Sequence, residues 1–143
     1  MRFFRIREGK KIAMATFLLL VNICIACKYL SASVWVLFNS PQEVLTGTTY
    51  DWTLSTVLVS WLFMGVVFFL LAASVGVFLG WKKTKHVIFS SAFVLGCIEL
   101  FESVSLHFEY GTDFHDLGQY AYGPLLVLWA VLSFYIATFA QRE

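Results

Sequence analysis

Seven ionisable side chains lie close together between residues 99 and 116, in the segment ELFESVSLHFEYGTDFHD. The segment holds three glutamates, two aspartates and two histidines, whereas only 13% of the whole chain is charged. Carboxylate oxygens and imidazole nitrogens are groups that bind transition metals and transfer protons. This segment is therefore the first candidate for a metal site or a proton-handling site.

The second half of the segment offers a set of metal ligands. Imidazole and carboxylate groups suit zinc, iron, copper or manganese, and a transition metal is the only cofactor that the sequence suggests. The spacing H-x-E-x3-D-x-H-D lacks the helical histidine pair of zinc enzymes, and a solvated or partner-contacting loop explains the same residues with fewer requirements. The candidate ligands are His107, Glu109, Asp113, His115 and Asp116.

The composition indicates that these residues belong to a membrane protein. The chain is 59% hydrophobic, its mean hydropathy is +0.78, and its charged fraction is about half that of a soluble domain. Four apolar runs are each long enough to cross a bilayer, which takes roughly 20 helical residues, and none alternates as a barrel strand would. The predicted spans cover residues of about 12–37, 54–79, 87–106 and 120–140.

The distribution of Lys and Arg predicts the orientation. The first eleven residues hold five basic residues and the link WKKTKH holds three lysines, whereas the other two links hold none. Because basic loops stay in the cytoplasm, the predicted fold is one all-α domain over residues 1–143, a bundle of four transmembrane helices with both termini cytoplasmic. A plasma membrane or a bacterial inner membrane fits this pattern. Cleavage of the first segment as a signal peptide is a weaker alternative.

Three ionisable residues fall within the predicted spans. Lys28 lies ~24 Å along the first helix, and Glu99 and Glu102 lie ~18 and ~22 Å along the third, so their depths match within about one turn. Two carboxylates on one helical face could serve proton or ion handling, although the structural interpretation is preferred. The alternative is structural, because Lys28 pairs with one glutamate or extends its ammonium group to the interface.

Small residues recur at helical spacing in the second and third segments. Such residues let helix backbones approach closely in a membrane, either within the bundle or against a partner. Cys24 and Cys27 form a C-x-x-C on the first helix, where thiolates could bind a soft metal, although cysteine is also a common small filler of helix interfaces. The predicted packing positions are Gly65, Ala72, Gly76, Gly80 and Gly96.

The functional expectation rests partly on missing motifs. The sequence has no nucleophile elbow, phosphate-binding loop, dinucleotide fingerprint or zinc-protease motif, and its basic residues serve topology rather than nucleic-acid binding. We therefore expect an accessory or interaction subunit that packs with other membrane proteins or with itself. The alternatives are a membrane-embedded enzyme or redox subunit that uses the outer His/Glu/Asp cluster, and a small ion or proton carrier that uses Glu99 and Glu102.

Overall fold

Four helices make up the computed structural model, which describes the backbone of residues 9–46, 54–110 and 117–142. Within these ranges the side chains of residues 9–35, 38, 58–101, 103–104 and 121–142 are described. The helices are α1 (Gly9–Thr46), α2 (Leu54–Phe78), α3 (Thr84–Tyr110) and α4 (Leu117–Ala140).

All four helices are long and apolar enough to cross a membrane, as the sequence predicts. The main difference in length is at α1, which continues nine residues beyond the predicted end at residue 37 and stops at Thr46, immediately before Gly47. The third helix likewise ends at Tyr110, before Gly111.

The helices form a ring in which each packs on the next and α1 also packs on α4. The positions buried in α2 recur every three or four residues, which is the spacing of a bundle with interlocking side chains. The core also contains many small or polar residues, whereas large side chains such as Phe68 and Trp61 face outward. This inverted pattern suits lipid, where outward hydrophobic side chains carry no penalty and close packing stabilises the bundle.

A tight turn joins α2 to α3 at the lysine-rich end of the bundle. Gly80 adopts a left-handed φ of 72°, and the amides of Gly80 and Trp81 donate to the carbonyls of Val77 and Gly76 at 3.2 and 3.0 Å. These two bonds make a Schellman motif, which satisfies the carbonyls that the helix end would otherwise leave unpaired. The side chain of Gln141 then donates 2.8 Å to the Trp81 carbonyl, so the end of α4 is fastened to this turn.

Candidate functional site

Glu99 on α3 is the centre of a polar cluster that lies ~22 Å along the helix from the lysine-rich turn. Its Oε1 atom accepts a 2.5 Å hydrogen bond from the hydroxyl of Tyr29 and lies 3.3 Å from Nζ of Lys28. The Glu99 side chain is only 14% exposed. These contacts link α3 to α1, which is not its neighbour in the ring. Hydrogen bonds to an ionised acceptor are stronger than those between neutral groups.

Lys28 sits at the edge of this cluster rather than inside it. Its side chain is 42% exposed, and its ammonium nitrogen lies 3.4 Å from the ring centroid of Tyr122 and 4.9 Å from that of Tyr29. An aromatic face attracts a cation, and the attraction grows when water is excluded. Tyr29 is itself buried against Phe63, with ring centroids 5.0 Å apart. The ammonium group is therefore held by one carboxylate and two rings and keeps one open side.

The cluster depends on a close approach between α3 and α4. A Cβ atom on Gly96 would stand 2.8 Å from Cγ2 of Val127 and 3.1 Å from the carbonyl oxygen of Gly123. A Cβ on Gly123 would stand 3.0 Å from the backbone nitrogen of Leu100. Both glycines thus allow backbone-to-backbone contact, which brings Tyr122 beside the part of α3 that carries Glu99. Glycine at position 123 was not among the packing residues that the sequence predicts.

A second polar group, also missed by the sequence prediction, lies one layer away. Asn22 is fully buried; its Nδ2 donates 2.7 Å to Oγ of Ser74, and its Oδ1 accepts 2.8 Å from Nε1 of Trp129. Ser74 donates in turn to the carbonyl of Leu70 at 2.7 Å. One amide therefore links α1 to both α2 and α4. An asparagine inside an apolar run is a visible signal, since a buried amide in a membrane span needs partners on other helices.

In the described part of the bundle, an apolar layer on α1 separates the two polar groups. Tyr29 and Asn22 are seven residues apart on α1, which corresponds to ~10 Å. Between them on the buried face lies Ala26, which has no polar side-chain atom. The Glu99 group can hold a charge. The two polar groups together can fix the four helices in register, each through its own set of described contacts.

Several predicted site residues have side chains outside the described part of the chain. These are Glu102 and the candidate metal ligands His107, Glu109, Asp113, His115 and Asp116. Among the described residues, no three or more His, Cys, Asp or Glu side chains converge on a common point. Cys24 and Cys27 form no disulfide and are exposed on the outside of α1, as is Cys97 on α3. The metal site in the 107–116 segment stays a prediction.

The predicted packing residues divide into two groups. Gly96 lies at the α3–α4 contact, and Gly80 closes the end of α2. Gly76 is covered by the side chains of Trp81 in the following turn and of Thr84 at the start of α3. Gly65 and Ala72 are instead exposed, and nothing lies within 4 Å of the place where a Cβ on Gly65 would stand. The bundle itself therefore gives no reason for small residues at 65 and 72.

Comparison of the chain with models of protein families, with curated proteins and with solved structures found no match.

Proposed function

We propose that this chain is a multi-pass integral membrane protein whose termini and 82–85 turn face the cytoplasm. Support comes from the four apolar helices and from the grouping of cations at one end of the bundle. Lys11 at the start of α1 donates a hydrogen bond to the carbonyl of Arg142 after α4, and Gln141 bonds to the turn that precedes Lys82. Positive charge retained on the cytoplasmic side sets this orientation. A plasma membrane or a bacterial inner membrane is the proposed location.

Within that membrane, we propose that the protein is an accessory or interaction subunit that packs through α2 against another integral membrane protein or a second copy. The observation that carries the proposal is the α2 outer stripe, formed by Trp61, Gly65, Phe68 and Ala72. These residues follow one another at helical spacing on one face, and all four are exposed. Large and small residues alternate along the stripe, so Gly65 and Ala72 leave room beside Trp61 and Phe68 for a neighbouring helix to approach.

Close approach is what stabilises helix association in lipid, where outward apolar area contributes no driving force of its own. The same chain uses glycine at 96 and 123 for this purpose inside the bundle. Gly65 and Ala72 are also small, but they are exposed and face no described helix of the bundle. Packing of a helix from outside the bundle is therefore the simplest explanation for small residues at these positions.

The test compares leucine substitutions on two faces. Tagged protein is purified from its own membranes in mild detergent, and the mass of the intact particles is measured. We expect the wild type to run as a discrete assembly, and we expect Gly65→Leu and Ala72→Leu to dissociate it. Ala13→Leu is the matched control, since Ala13 is an exposed small residue on α1. A wild-type monomer, or equal dissociation by the control, would contradict the proposal.

The identity of the second component follows from the same particles. A mass that is a multiple of the chain indicates self-association, and an additional protein in constant ratio indicates an accessory subunit. Both kinds of association would use the α2 outer stripe, so Ala72→Leu should dissociate either assembly.

A second candidate function is favoured by the enclosed carboxylate. Glu99 is nearly buried and contacts both an ammonium group and a phenol, which is the kind of site that takes up and releases a proton or holds a cation. We propose that, as a carrier, the protein would work through Glu99 together with Glu102. Proton flux into vesicles containing the purified protein tests this, and a flux that Glu99→Gln leaves unchanged would reject it.

Replacement of Lys28 by methionine separates this role from a structural one. If the Lys28–Glu99 contact serves assembly, the variant should unfold at a lower detergent concentration, because Glu99 loses its contact with the ammonium group and keeps the bond from Tyr29. Unchanged stability together with altered proton flux would favour the carrier.

A further inference from the structure

A groove at the lysine-rich end of the bundle lies between α3 and α4, away from the α2 outer stripe. Its volume is about 320 Å³, which is at the lower end of the range for small-molecule sites. Its lining consists of His86, Phe89, Val131, Phe134 and Tyr135. The groove opens to the outside of the bundle, since His86, Val131 and Tyr135 are exposed.

The floor of the groove is aromatic and continues into the span. Phe89 meets Phe134 edge to face, with ring centroids 6.1 Å apart, and stacks on Phe93 at 5.7 Å with an interplanar angle of 14°. His86 and Phe93 are seven residues apart, so this surface extends ~10 Å along α3. A surface of this kind matches a hydrocarbon chain lying parallel to the helices.

The mouth of the groove is cationic. Nζ of Lys85 lies 5.6 Å from the ring centroid of Phe134, and the exposed Lys82 and Lys83 precede it in the turn. Glu99 is the one acidic residue whose side chain the structure describes, and it lies ~21 Å away along α3 from Lys85. The two terminal segments and the turn together hold nine Lys and Arg residues in the sequence. The acidic residues in the same segments are Glu8 and Glu143.

From these three features, we propose that the groove binds an anionic phospholipid, with one acyl chain along the aromatic floor and the phosphate at Lys85. Basic pockets between transmembrane helices on the cytoplasmic side are suited to such headgroups. A zwitterionic lipid offers the same chain but no net charge for the lysines. The proposal rests on the membrane insertion and orientation proposed above, and it is independent of any protein that contacts α2.

The experiment is native mass spectrometry of detergent-purified protein titrated with phosphatidylglycerol or with phosphatidylcholine of identical chains. We expect tighter binding of phosphatidylglycerol and about fivefold weaker binding by Lys85→Gln, equivalent to roughly 1 kcal/mol for one basic residue near an anionic surface. Lys10→Gln removes a charge from α1 and is the matched control, which should bind as the wild type does. Equal affinity for the two lipids, or equal loss in both lysine variants, would overturn the proposal.

A second variant tests the apolar half of the site. Val131→Phe adds bulk within the groove at a residue that is 41% exposed, so the bundle core is not disturbed. Phosphatidylglycerol binding should fall by at least as much as in Lys85→Gln, while the helical circular dichroism signal stays unchanged. Unchanged binding would mean that no chain occupies the groove. Because lipid binding is measured on the purified chain in detergent, its result does not depend on whether the α2 stripe holds a partner.

Discussion

Replacing Asn22 with alanine should destabilise the bundle because this residue joins three helices. Its amide donates 2.7 Å to Ser74 on α2 and accepts 2.8 Å from Trp129 on α4, and no part of it is exposed. Hydrogen bonds between transmembrane helices contribute about 0.6 kcal/mol on average and up to about 1.7 kcal/mol. Two such bonds correspond to about 1 to 3 kcal/mol, and Asn22→Ala should lower the free energy of unfolding by that amount.

The assay is reversible unfolding in mixed micelles as the fraction of SDS is raised, followed by helical circular dichroism. A double-mutant cycle between Asn22→Ala and Ser74→Ala isolates the contact between the two side chains, and we expect a coupling energy of about 0.5 to 1.5 kcal/mol. Ser133→Ala is the control, since Ser133 is also fully buried and bonds to its own helix at the carbonyl of Ala130. Additive effects of Asn22→Ala and Ser74→Ala, within about 0.3 kcal/mol, would refute the reasoning.

Three alanine substitutions of glycine should separate by environment in the same assay. Gly80→Ala should lower the free energy of unfolding by about 1 to 2 kcal/mol, because φ is 72° there and a side chain is strained in that conformation. Gly123→Ala should lower it by about 1 to 3 kcal/mol, since the new Cβ would stand 3.0 Å from the Leu100 backbone nitrogen. Gly65→Ala meets nothing within 4 Å and should cause no loss. Equal losses at all three positions would contradict this account.

The number and approximate position of the helices could be predicted because lipid imposes one simple requirement on a span. About 20 continuous apolar residues suffice, and the four runs that meet this requirement correspond to the four helices. The ends were harder to place, since hydropathy falls gradually near residue 37 whereas α1 continues to Thr46. Backbone hydrogen bonding continues past the last apolar residue when no glycine or unfavourable turn interrupts it.

The roles of individual small residues could not be predicted from their spacing. Gly76 and Gly80 share the four-residue repeat of a packing stripe, yet one is covered by the next turn and the other ends the helix. Gly65 belongs to the same helix, and a Cβ there would meet no described atom within 4 Å. Spacing tells which residues share a face, but the rotation of the helix about its axis decides what that face meets, and an apolar helix with little amphipathicity gives no signal of that rotation.

The polar residues carried more information than the small ones because each needs a partner. Matching depths predicted that Lys28 and a glutamate on α3 would be close, and the structure places Lys28 beside Glu99. The same reasoning applied to Asn22 would have predicted an interhelical bond. Its partners Ser74 and Trp129 could not have been chosen, since the sequence does not give the ring order of the helices, which decides the side chains that face Asn22.

The way these polar groups are satisfied shows how the four helices are held together. Asn22 on α1 has its described partners on α2 and α4, and Glu99 on α3 has its described partners on α1. The two sites together are therefore complete only when all four helices are assembled. In a membrane each helix can form alone and then associate, and such bonds give the association its register. Asn22 is fully buried in the assembled bundle, and the Glu99 side chain is only 14% exposed. The proposed contacts with other proteins and with lipid both lie on the outer surface of the bundle, at the α2 outer stripe and at the lysines above the α3–α4 groove.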